Sequence, residues 1–169
     1  MDRYKTLRWI AYFSEIIIFY IVQNTPGLLP EILGARPVLL ISTVLTIAMF
    51  EGEMAGIGVG IIAGLLIDFG GSEILGFHAI VLVGICYFVG LLTMNLIRIN
   101  LLTALAMSAI AIPLIFTLHW LFFYVIWNNG SDGYVFVNHI MPRILYTFLT
   151  VPLVYFFNRA IGHRLREAG

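Results

Sequence analysis

Few side chains in this 169-residue sequence are equipped for chemistry, and most of those lie inside or at the ends of apolar runs. Asp68 closes one such run and His78 opens the next. An ionised carboxylate beside lipid costs several kcal/mol unless it is paired or hydrated. Asp68 therefore either reaches headgroups and caps the turn Gly70-Gly71-Ser72, or pairs with His78 and holds a hairpin together. Both uses are structural. A proton relay needs further acids or histidines along its path, and the neighbouring runs offer only His119, which beside Trp120 reads as a hydrogen-bonded interior histidine. Glu15 lies within the first apolar run, where its expected surroundings are Arg143, Arg98 or a polar bundle interior. Cys86, the single cysteine, reads as a packed thiol and excludes a disulfide framework. No serine or cysteine has a histidine and an acid at a recognisable catalytic spacing. His-Glu-x-x-His and glycine-rich phosphate loops are missing as well. The expectation is a protein that is not an enzyme and needs no cofactor or metal.

The elements that hold these residues are set by composition. Apolar residues make up 61% of the chain and charged residues 11%, against roughly 45–50% and about 25% in soluble domains. Mean hydropathy is +1.01. A soluble fold of this size has too little interior for that much apolar surface, so the solvent for most of the chain is lipid. Nine basic residues balance nine acidic ones, which leaves no field for a polyanion and argues against nucleic acid as a partner. Runs suited to crossing a bilayer fall at about 7–22, 37–50, 54–69, 77–97, 101–127 and 140–157. The predicted fold is an all-α, polytopic membrane protein of six transmembrane helices in one integral membrane domain, 1–169. The second and third runs are short and separated only by Glu51-Gly52-Glu53. Read as one helix they would reach about 50 Å, so a tight helical hairpin is expected, with a re-entrant pair as the alternative. Pro113 predicts a kink in the fifth span.

Basic residues orient the bundle. With six spans, Arg3, Lys5, Arg8, Arg98, Arg159, Arg164 and Arg166 share one side, and only Arg36 and Arg143 lie on the other. The positive-inside rule then puts both termini in the cytoplasm.

Gly52, Gly56, Gly60 and Gly64 recur at every fourth position and Asp68 continues the series. Each step advances about 40° around a helix, so neighbours share a face that winds as a right-handed stripe. Burial of apolar surface does not pair helices in lipid, whereas small residues at this spacing let backbones approach. The stripe is thus a helix-packing face, facing either another helix of this chain or a partner protein.

The run Glu51-Gly52-Glu53-Met54-Ala55-Gly56, on through Gly60 to Gly64-Leu65-Leu66-Ile67-Asp68, precedes Leu75-Gly76-Phe77-His78-Ala79. Together they resemble the signature of the rod shape-determining protein MreD family, in which a glycine-spaced helix ends in Gly-Leu-Leu-x-Asp and Leu-Gly-x-His/Asn-Ala follows. The resemblance implies a non-catalytic subunit of the bacterial inner membrane that binds the bitopic scaffold MreC. It further implies action beside MreB, RodA and a penicillin-binding transpeptidase in peptidoglycan synthesis and cell elongation. It also implies a six-helix fold similar to the substrate-binding component of energy-coupling-factor transporters, and hence an alternative function as a vitamin-binding subunit. Those components dock through Ala-x-x-x-Ala in their first helix. Here that stretch reads Ala11-Tyr12-Phe13-Ser14-Glu15, a departure that counts against the transporter.

Overall fold

A computed structural model of the protein describes residues 3–31, 34–71, 74–126, 133 and 136–167. Among them run six α-helices: α1 (Arg3–Asn24), α2 (Leu39–Glu51), α3 (Glu53–Phe69), α4 (Phe77–Asn95), α5 (Leu101–Trp120) and α6 (Met141–Glu167). Each coincides with one apolar run of the sequence. The differences lie at the ends. Helix α1 begins at Arg3 and α6 continues to Glu167, because intrahelical hydrogen bonds persist where the side chains have already turned polar. Helix α5 passes Pro113 without interruption. Its α geometry gives way later, to a π-helical turn at Leu121–Ile126, and a second such turn at Phe136–Ile140 leads into α6. Most of the loop expected at 128–138 lies outside the described residues.

Helices α2 and α3 are separate, as a hairpin requires, and Gly52 alone divides them. Its φ of +91° is one that a side chain would strain, which is why the break falls on a glycine. Helix α2 is the centre of the molecule. Every residue from Leu39 to Met49 is buried, with α1, α3, α4, α5 and α6 all packed against it. Outward surfaces are apolar instead: Ile10, Ile17 and Ile21 on α1 and Leu145, Leu149 and Leu153 on α6 are each more than half exposed. A core that is buried and partly polar inside an apolar rim is what lipid as solvent selects. Among the described residues three segments are long and apolar enough to cross a membrane, Phe77–Asn95, Leu101–Ile126 and Phe136–Gly162.

Successive helices alternate in direction. The end of α1, the start of α2, the end of α3, the start of α4, the end of α5 and the start of α6 converge at one end of the bundle, where Gln23, Val38, Ile67, His78, His119 and Arg143 line a common cavity. At the opposite end Arg8 of α1 pairs with Glu51 of α2 at 2.8 Å, and the Tyr12 hydroxyl donates to the same carboxylate at 3.1 Å.

Candidate functional site

The glycine stripe meets α4. A methyl built on Gly56 would stand 2.9 Å from the Cys86 carbonyl oxygen, and one on Gly60 3.2 Å from the Val83 Cα. On Gly64 it would collide with the backbone of Ala79, while Gly52 abuts the Met94 side chain. The approach is reciprocal, since a methyl on Gly90 of α4 would come 2.6 Å from the Glu53 nitrogen. The face carrying Gly56, Gly60 and Gly64 is therefore filled by a helix of the same chain, and it offers no open groove for a partner helix. Gly90 and Ala79 complete the seam from the α4 side. Their four-residue phase with Cys86 and Val83 is the signal in the sequence that marks them.

Where that seam reaches the cavity, α3 ends and α4 begins, and Asp68 spans the gap. It is 2% exposed. Its Oδ2 accepts from the Gly76 backbone N–H at 2.8 Å, and Oδ1 accepts from the His78 N–H at 3.3 Å. His78 Nδ1 lies 2.7 Å from the same Oδ1. A carboxylate only accepts, so Nδ1 carries the hydrogen, and the ring is fixed in orientation. Asp68 thus supplies the capping oxygens that α4 lacks locally, at the end of the helix where its dipole favours negative charge. Gly76, with φ of +95°, makes the tight entry that brings both N–H groups round to the acid.

His78 is also stacked. Its ring centroid lies 5.1 Å from that of His119, and His119 lies 4.7 Å from Phe123. Among the described residues His119 is held by ring contacts, with Phe77, His78 and Phe123 around it. The π-helical turn after α5 brings both Phe123 and Tyr124 to the cavity wall. Arg143 stands over Phe116 with its Cζ 5.7 Å from the ring centre and is exposed to the cavity. It does not pair with Glu15, and neither does the exposed Arg98.

Glu15 instead lies buried between helices near Asn158, its two oxygens without a hydrogen-bond partner among the described residues. Asn158 donates from Nδ2 to the Thr46 hydroxyl at 2.7 Å. Further along the same seam Ser42 Oγ lies 2.9 Å from Thr150 Oγ1 and donates to the Thr147 carbonyl. Thr147 Oγ1 in turn accepts from the Val38 N–H at 3.1 Å, and Gln23 Oε1 accepts from the Leu40 N–H at 3.3 Å. Two backbone N–H groups at the buried start of α2, those of Val38 and Leu40, are in this way satisfied by side chains of α6 and α1.

A family model described as rod shape-determining protein MreD matches residues 3–161, nearly the whole chain. The chain belongs to the MreD family. No curated protein and no solved structure matches it. Family membership together with the three long apolar helices makes it a bacterial membrane protein concerned with rod shape. The acid and histidine that carried the MreD resemblance are the pair at the α3–α4 junction, and the stripe before them is the α3–α4 seam.

Proposed function

We propose that this MreD-family chain is a non-catalytic subunit of the cell-elongation complex that binds MreC and helps organise peptidoglycan synthesis beside MreB, RodA and a penicillin-binding transpeptidase. The family match over 3–161 is the observation that carries this reading. The chain crosses the inner membrane six times with both termini in the cytoplasm, an orientation supported by the seven-to-two bias of basic residues and by the alternation of helix direction. The cavity then opens on the outer side, and the α3–α4 junction with Asp68 and His78 keeps that end of the bundle in shape. In a rod-shaped host that depends on this chain, its depletion should round the cells, and the purified protein should retain MreC in native mass spectrometry. Cells that keep their rods after depletion would sink the proposal. For orientation, Thr25→Cys should react with a membrane-impermeant thiol reagent in spheroplasts and Asn95→Cys should not. Cys86 is buried and adds little background. The reverse pattern would refute the topology.

One observation favours a second reading. A cavity of about 710 Å³ at the outer end has the size of a small-molecule site, as the substrate-binding component of an energy-coupling-factor transporter requires. Retention of a stoichiometric vitamin-sized solute, with no single-span partner, would decide for it.

A further inference from the structure

The cavity has a chemical character that neither reading assigns. Arg36, Arg143, His78, His119, Gln23 and Tyr124 supply its polar lining, and among the described residues that line it none is an aspartate or glutamate. Asp68 lies behind His78, its oxygens committed to that ring and to two backbone N–H groups. Arg36 is gripped at Nε and Nη2 by Glu31, which orients it and offsets its charge. Arg143 has no such partner among the described residues. It makes no ion pair with a described carboxylate, and it stands over the face of Phe116 with Tyr124, His78 and His119 nearby. A guanidinium without a carboxylate partner among the described residues, set in a cavity with low-dielectric walls, concentrates anions, and its planar fork matches a phosphate geometrically.

The rest of the wall sets the size and polarity of what accompanies the anion. Inorganic phosphate would occupy a small part of about 710 Å³. Phe116, Phe123 and the His119 ring supply apolar surface against which a non-polar portion can lie, and Gln23 and Tyr124 add hydrogen-bonding groups to the lining. We infer that this cavity binds a phosphate ester, with the phosphate on Arg143 and the organic part against the aromatic wall. The same chemistry is offered by a phospholipid headgroup of the outer leaflet and by a soluble phosphate ester. Only the side from which the ligand arrives rests on the topology proposed above. Binding to purified protein is independent of it, so the two fail separately.

Purified full-length protein in a neutral maltoside detergent is challenged with phosphatidylglycerol, with sn-glycerol 3-phosphate and with diacylglycerol as the phosphate-free control. Retention is read by native mass spectrometry and binding by the shift in Tm. At least one of the two phosphate probes should bind above the control. Phosphatidylglycerol alone would identify a headgroup site, and glycerol phosphate binding would identify a soluble ester. Arg143→Gln should weaken that binding roughly tenfold or more, as loss of a charge-assisted bond does, with partial recovery in Arg143→Lys. Should Arg143→Gln fail to fold, raising the salt concentration on the wild-type protein serves in its place, since ionic strength must weaken the interaction. The inference is overturned if neither phosphate probe exceeds diacylglycerol, if Arg143→Gln binds as well as wild type, or if binding is indifferent to salt.

Discussion

The α3–α4 seam and the α2–α6 seam join helices of the same bundle by opposite means. Between α3 and α4 the contact is made by missing side chains: Gly56, Gly60 and Gly64 press on the backbone around Cys86, Val83 and Ala79, and Gly90 presses back on Glu53. Between α2 and α6 the contact is made by side-chain oxygens and one amide, from Ser42 with Thr150 to Thr46 with Asn158. The first pair runs antiparallel and the second parallel. The difference follows from the solvent. Lipid leaves no hydrophobic drive between helices, so association depends on close dispersion contact or on hydrogen bonds across the interface. Dispersion falls off within a fraction of an ångström, so the glycine seam tolerates no added atom. A hydrogen-bonded seam has several partners to fall back on and yields more gradually.

The largest effect is therefore expected at Gly64, where even a methyl group meets the Ala79 backbone. Backbone on both sides leaves nothing flexible to move aside. Gly64→Ala should cost about 1–3 kcal/mol, the range for overpacking, and Gly64→Leu should lower the thermal stability of the isolated protein further. The measurement is unfolding of the purified chain without any partner. An unchanged Tm in both variants would mean that the seam is not closed by α4.

Asn158→Leu tests the other seam and should do less. It removes the bond to the Thr46 hydroxyl, while Thr46 keeps its own bonds to the Ser42 and Thr43 carbonyls. Hydrogen bonds between membrane helices average about 0.6 kcal/mol and reach about 1.7, so a loss near 1 kcal/mol is expected from the same unfolding experiment. A loss exceeding that of Gly64→Ala would reverse the ranking of the two seams.

What the sequence revealed about these regions divides along the same line. Glycines at every fourth position are a local pattern, and a periodic pattern survives without knowledge of the fold, as do the apolar runs that became α1 to α6. Asp68 and His78 were legible because ten residues separate them and a single turn joins their helices. The cavity was not legible. Gln23, Arg36, His78, His119 and Arg143 come from five different helix ends and have no spacing in common, and only the alternation of direction brings them together. Of the surroundings expected for Glu15, the polar bundle interior is the one found, and the sequence could not choose it for a related reason. Its environment is set by Asn158, far along the chain, whereas the arginines considered for it are drawn elsewhere, Arg143 to the cavity and Arg98 to the exposed turn between α4 and α5.

The smallest effect, of opposite sign, is expected at Gly58. It sits on the same helix as Gly56 and Gly60 but two residues off their face, and a methyl built there meets nothing within 4 Å. Its backbone is helical, so alanine needs no change of conformation. Glycine in a helix interior is worse than alanine by roughly 0.5–1 kcal/mol because the unfolded chain has more freedom to lose. Gly58→Ala should accordingly raise stability by up to about that amount, while Gly64→Ala, the same chemical change six residues away, lowers it. Thermal unfolding of the two variants side by side checks the sign directly. Destabilisation by Gly58→Ala comparable to that of Gly64→Ala would mean that glycine is needed for the helix itself, and that nearness to α4 does not explain the stripe.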